Sequence, residues 1–231
     1  MQLKELKNQL DGFPIEDQLK KLVSLFPEKV IFTTSLGIED QVITHKLFSN
    51  NIDVKVITLD TGRLFPQTYD VFSNTIIKYN KKISVYFPEY ESVEKMVTEK
   101  GPFSFYQTVE NRKECCRIRK VVPLNRALKG MECWISGIRA EQSDDRNNMD
   151  WLEYDKSKNL YKFYPLFNWT FDDIKNFVKE NNVPYNSLHD KGFVSIGCEP
   201  CTRAVKPGED FRSGRWWWEN DGPKECGLHI K

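Results

Sequence analysis

A chain of 231 residues that is 39% hydrophobic and 13% aromatic has enough apolar material to bury a core, which excludes a disordered protein. Its 34 Lys and Arg against 33 Asp and Glu leave a net charge of +1, so no overall field marks a nucleic-acid or membrane-surface binder, and anion recognition has to come from local basic clusters. No apolar run reaches bilayer-spanning length and MQLKELKNQL carries no signal-type apolar segment, which predicts a cytoplasmic protein without membrane partners.

Taken in chain order, KVIFTT (29–34), VKVITLD (54–60) and KISVYF (82–87) are short β-branched runs, and ECWISGI (132–138) is a fourth. Residues 39–49 and 67–80 between them show helical spacing. Strands alternating with helices predict an α/β fold: a parallel twisted sheet with helices on both faces, forming one domain over 1–231. In such sheets ligands bind beyond the C-terminal strand ends, so TSLGIED, DTGRLFP and GIRAEQSDDR are the loops of interest. The stretch from Ser143 to Lys162 fits no regular period and is expected to be a flap or surface loop. Thr170 followed by Asp172 and Asp173 marks a helix N-terminus running to about Glu180. Beyond Asn181 glycines and prolines punctuate the chain, and 207–231 is expected to be a mobile C-terminal segment. A loop-rich stretch of that length needs a cofactor or ligand to order it.

Five of the six cysteines stand out. Cys198-x-x-Cys201 lets two thiolates reach one centre across a turn shaped by Gly197 and Pro200. Cys115 and Cys116 are adjacent, and neighbouring side chains diverge by about 100° on a helix, so both ligate only where the backbone is distorted or the target is large. The four suit a structural zinc or an iron–sulfur cluster, and the CxxC spacing alone leans to zinc; buried small hydrophobes are the plainer alternative. Cys133, inside an apolar strand, reads as core. Cys226 stands alone near the C-terminus, a reactive thiol or an incidental tail residue. Upstream of it Arg212 and Arg215, three apart, would share one face of a helical turn and suit a multi-oxygen anion, unless they are solvated surface charges; at least one of Trp216 to Trp218 reads as core packing. Ser35, Gly37 and the backbone amides after the first strand form a loose anion cradle, but no GxxxxGK[ST] exists, which argues against an ordinary P-loop NTPase.

TTSLGIEDQV, LDTGRLFPQTYDV, CCRIRKVVPL, WISGIRAEQS, GCEPCTRAVKPGEDFRSGRWWWE and the ECGLH tail together resemble the assimilatory sulfonucleotide reductases, from about Lys29 to Lys231. The combination of CC, CxxC and ECGLH resembles the subgroup that carries a 4Fe–4S cluster and reduces adenosine 5′-phosphosulfate (APS); relatives specific for the 3′-phosphorylated substrate (PAPS) keep the tail cysteine but lack both pairs. The resemblance implies a fold like that of the adenine nucleotide α-hydrolases. It implies a cluster, in place of zinc, on Cys115, Cys116, Cys198 and Cys201. It makes Cys226 the nucleophile that attacks the sulfate sulfur, expels AMP and leaves an S-sulfocysteine. Substrate contacts implied in the same way are Ser35, Gly37, Lys120, Arg139, Arg212 and Arg215, with Arg146 an additional candidate and His229 assisting the nucleophile. With the other five cysteines assigned, the thiol that releases sulfite comes from outside, which agrees with thioredoxin or glutaredoxin as the family's reductant. PAPS as an equal or preferred substrate is the nearest competing expectation; a nucleotide-binding module with a structural zinc is the competitor from another class. A homo-oligomer is compatible with the sequence.

Overall fold

A computed structural model describes residues 2–142, 146 and 149–219, and its chain divides into two compact units. Unit 1 is built from residues 1–58, 67–84 and 130–186, and unit 2 from 59–66, 85–129 and 187–231.

Unit 1 starts with two short amphipathic helices that the sequence reading left unassigned, α1 (Leu3–Leu10) and α2 (Ile15–Leu25), which bury Leu6, Leu10, Leu19 and Leu22. The β-branched runs form β1 (Val30–Thr34), β2 (Lys55–Leu59) and β3 (Ser84–Tyr86), and the ECWISGI run forms β4 (Cys133–Ile135). Two further strands, β5 (Leu152–Asp155) and β6 (Leu160–Phe163), complete a six-stranded sheet in the order β3-β2-β1-β4-β6-β5. β1 pairs in parallel with β2 and β4, and β4 with β6; the edge strand β5 is antiparallel to β6. The sheet is thus mostly parallel, as expected. β1 carries side chains buried on both faces, the reason a parallel strand reads as a continuous apolar run rather than an alternating one.

The β5–β6 pair corrects the expectation that residues 143–162 are flap or loop: Leu152–Asp155 and Leu160–Phe163 are ladder strands. Lys162 hid them. It interrupts the apolar run of β6, yet its side chain is buried beside the Trp134 ring and neutralised by Asp155 at 2.7 Å. Burial raises the Asp155 carboxyl, but the hydrogen bonds from Lys162 and Ser157 outweigh it and hold it well below the usual range.

Helices α3 (Ile38–Ser49), α4 (Pro66–Tyr79) and α8 (Phe171–Glu180) fall where the spacing predicts. Thr170 caps α8 in a capping box: its hydroxyl accepts from Asp173 N at 3.1 Å while the Asp173 carboxylate accepts from Thr170 N at 2.8 Å. Phe32, Ile135, Phe163, Leu47 and Ile174 meet in the core of this unit, and Cys133 is fully buried among them, as read from its strand.

Unit 2 holds α5 (Tyr90–Lys100), α6 (Val109–Cys116) and α7 (Val122–Leu128), with a π-helical turn over Arg117–Val121 between the last two. Beyond Asn186 the described residues form turns, with single 3₁₀ turns at His189–Lys191 and Glu199–Cys201, in keeping with the glycine and proline punctuation. Of the segment expected to be mobile, Gly214, Arg215 and Trp216 are buried and Trp218 is half-buried; residues 220–231, with Cys226 and His229, lie outside the described residues. Among the described residues no helix is long and apolar enough to cross a membrane.

Candidate functional site

The strand order of unit 1 reverses at β1: the chain steps outward to β2 and β3, then returns to place β4 on the other side. Ligands of open α/β sheets bind at that switch point, beyond the carboxyl ends of the two strands. Ser35 and Gly37 follow β1, and Gly137 and Arg139 follow β4. One carboxylate ties the two loops together. Asp40, in the first turn of α3, accepts from Ser35 N and Ser35 Oγ through Oδ2, both at 2.6 Å, and from Gly137 N through Oδ1 at 3.1 Å. Burial is the dominant influence on this carboxyl and pushes it up to about 6 against the hydrogen bonds from Ser35. A Cβ on Gly137 would sit 2.3 Å from Asp40 Oδ1, so only glycine admits the approach.

The sequence-predicted anion cradle is therefore internally engaged: Gly37 N also donates to Ser35 Oγ, at 3.3 Å. Arg139 is fully buried. Its Nε and Nη2 donate to Glu39 Oε1 at 3.1 and 3.0 Å, its Nη1 to Glu141 at 2.6 Å, and its guanidinium lies 5.6 Å from the Phe171 ring centre. Arg146 donates to Gln142, which in turn donates to Glu39 at 3.0 Å. These residues form a paired scaffold under the switch-point loops. Sequence reading missed Asp40 and Glu39, although acidic residues in a first helical turn beside an arginine-bearing loop are the signal that would have found them.

Unit 2 gathers the cysteine pairs. Cys115, Cys116, Cys198 and Cys201, 82 positions apart between the inner two, line one recess with Arg63, Phe105, Arg112, Arg119, Lys120 and Trp216. Thr108 caps α6, accepting from Asn111 N at 3.1 Å, and Cys115 and Cys116 end the helix where it widens into the π turn. The π turn follows the pair, and Cys116 itself keeps α-helical backbone angles. Cys198 Sγ lies 3.3 Å from Thr61 Oγ1, and the Cys198–Cys201 turn is held by Thr202, whose hydroxyl donates to Cys198 O at 2.9 Å. Glu199 N donates to Arg63 O at 2.8 Å, and Tyr106 OH to Pro200 O at 2.6 Å. The five described cysteines are free thiols. Burial pushes the Cys115 thiol up, opposed by Arg119; it pushes Cys201 up to about 12, with Cys198 adding to the rise and Lys120 and Arg215 opposing it.

Cations and orphaned donors surround these thiols. Arg119 Nη1 donates to Thr61 O at 2.7 Å, but its Nε, the Nε of buried Arg215 and the indole Nε1 of fully buried Trp216 have no hydrogen-bond partner. Arg215 follows Arg212 in a tight turn, its N donating to Arg212 O at 2.9 Å, and the guanidinium leaves no room for a Cβ on Gly197. Buried unpaired N–H groups are costly and mark a missing acceptor. Among the described residues no three His, Cys, Asp or Glu side chains converge tightly enough for one metal ion. Four soft donors lining one recess, with orphaned N–H groups beside them, fit a sulfur-rich anionic group that brings its own acceptors. Arg63 and Arg119 escaped the sequence reading because RIRK and TGRL give no period or spacing that separates a buried cation from a surface one.

The phosphoadenosine phosphosulfate reductase domain family matches residues 29–204 of the chain. An adenosine 5′-phosphosulfate reductase of Sinorhizobium fredii is 47% identical over 227 residues, covering 98% of this chain and 90% of that protein. One from Neisseria meningitidis serogroup B is 46% identical over 86% of this chain and 81% of its own length. The crystal structure of a phosphoadenylyl-sulfate reductase from Candida auris superposes with a TM-score of 0.74 at 30% identity, covering 88% of this chain and 96% of that one. A Candida glabrata FMN adenylyltransferase, at 14% identity and a TM-score of 0.56, shares the fold alone.

Proposed function

The chain belongs to the phosphoadenosine phosphosulfate reductase domain family, and on that footing we propose that it reduces adenosine 5′-phosphosulfate to sulfite and AMP in sulfate assimilation. The observation that carries the reading is the convergence of both cysteine pairs on one recess edged by cations, in a chain whose 46–47% identical relatives are named adenosine 5′-phosphosulfate reductases.

Cys226 is the proposed nucleophile. Its thiolate attacks the sulfate sulfur, the bond to the phosphate oxygen breaks, and AMP leaves. The S-sulfocysteine that remains is attacked at Sγ by a thiolate of an external dithiol, thioredoxin or glutaredoxin, which expels sulfite. The dithiol's second thiol then displaces Cys226, leaving the donor oxidised to a disulfide and the sulfur reduced by two electrons. Lys120, Arg212 and Arg215 offset the negative charge that would otherwise repel the thiolate, and Ser35 and Gly37 contact the substrate through the switch-point loop. Arg139, saturated by Glu39 and Glu141, acts by holding that loop. His229 assists the nucleophile. Cys115, Cys116, Cys198 and Cys201 would hold a 4Fe–4S cluster, which when bound supplies a charged centre tying α6 to the Cys198–Cys201 turn. Chemistry that needs free thiols and a dithiol donor suits a cytoplasmic setting.

The family name and the Candida auris neighbour favour PAPS as the second reading. Anaerobic, thioredoxin-dependent sulfite release, measured with APS and PAPS side by side at limiting substrate, decides between them. The expected result is at least a tenfold preference for APS, and a preference for PAPS reverses the assignment. Cys226→Ser is expected to lower sulfite release at least a thousandfold, and retained activity in that variant removes the nucleophile.

A further inference from the structure

Glu219, the last described residue before the segment carrying Cys226, is clamped by α6. Arg112 Nε donates to Glu219 Oε1 at 2.9 Å and Arg112 Nη2 to Oε2 at 2.8 Å, a bidentate fork with side chains only 7% and 10% exposed. The Arg112 guanidinium lies 4.6 Å from the centre of the buried Trp216 ring, and Trp218 packs on Tyr106 with ring centres 4.4 Å apart. Glu219 N closes the turn on Trp216 O at 2.9 Å. An exposed ion pair would hold a chain end weakly; a buried, forked pair leaves an uncompensated charge when either partner is lost.

We propose that Arg112 and Glu219 are positioning residues that fix the base of the nucleophile-bearing segment, an inference that rests on the reading of Cys226 as nucleophile. The chain from position 219 to 226 spans seven residues, so a fully extended backbone carries the Cys226 Cα at most about 25 Å from that of Glu219. Fixing that base limits how far the chain can carry the thiol, and a shorter tether raises effective concentration at bound substrate. The anchor also shares a helix face with the cysteines: Arg112, Cys115 and Cys116 are residues i, i+3 and i+4 of α6.

The test uses iron-loaded protein, ³⁵S-labelled APS and no reductant, and follows label transfer to Cys226 at saturating substrate. Glu219→Gln, near-isosteric, is expected to slow transfer tenfold or more, with the APS dissociation constant within twofold and iron content unchanged; Arg112→Gln, whose side chain also lines the cysteine recess, is expected to slow transfer as much when compared per bound iron. The double variant should be no slower than the slower single variant, because both remove one contact, and Arg112→Lys should recover part of the rate. Transfer within twofold of the parent in both single variants, or loss that merely tracks iron, overturns the proposal. Absence of label on the parent protein would instead remove the nucleophile reading. The clamp then stands or falls on hydrogen exchange at Trp217 to Glu219, which should accelerate at least tenfold in both variants; unchanged exchange overturns it.

Discussion

The two units treat their buried charges in opposite ways. Around the switch point of unit 1, Asp40 has three donors, Arg139 is shared between Glu39 and Glu141, and the buried atoms left without partners are neutral, Gln41 Oε1 and Ser136 Oγ. Around the cysteine recess of unit 2, two guanidinium nitrogens and an indole nitrogen lack acceptors while buried thiols are pushed toward the neutral form. A satisfied network is a scaffold that keeps its shape alone. An unsatisfied one is shaped for a group that arrives with its own charge and acceptors.

The contrast is broken most directly at unit 2. Cys198→Ser is expected to lose most of the bound iron and sulfide and at least a hundredfold in sulfite release, while the parent holds iron and sulfide in equal amounts. An active, iron-replete variant, or zinc without sulfide in the parent, would show that the recess is not a cluster site.

Unit 1 should respond through stability and pH. The Asp40 carboxyl is raised from 3.8 to about 6, so between those values the folded state binds more protons than the unfolded one, and Asp40's contribution falls as pH rises. A shift of that size corresponds to about 3 kcal/mol. Carboxylates held low, such as Asp155, have the opposite slope, so the comparison has to be with the parent protein. Asp40→Asn should gain about 2 kcal/mol relative to the parent on going from pH 4 to pH 7, because the unfolded carboxyl is already mostly ionised at pH 4, read from denaturant unfolding at both. A difference independent of pH would mean that the carboxylate is not desolvated. The smallest effect is expected at the α8 cap, where Thr170→Ala removes the hydroxyl that accepts from Asp173 N and should cost about 1 kcal/mol without touching iron content or substrate affinity.

Much of this was legible because some signals are local. β-branched runs gave β1 to β4, helical spacing gave α3 and α4, Thr170 gave the start of α8, and the CC and CxxC pairs singled out four residues that do line one recess. What stayed hidden depends on partners distant in sequence. Lys162 gives no sign in the sequence of its burial beside Asp155 and Trp134, and Arg139 gives none of its pairing with Glu39, 100 positions away.

The sequence by itself determined the parallel α/β class, the cysteine pairs and the family, because periodicity, turn residues and motif spacing are properties of neighbouring positions. Only the tertiary structure decided which charges are satisfied and which are not: Asp40 bridging two loops, Arg112 clamping Glu219, and Arg119, Arg215 and Trp216 left with unpaired N–H groups. Whether a buried polar group is paired depends on what folding brings beside it, and burial makes that difference count, because a desolvated donor or charge has no water to fall back on.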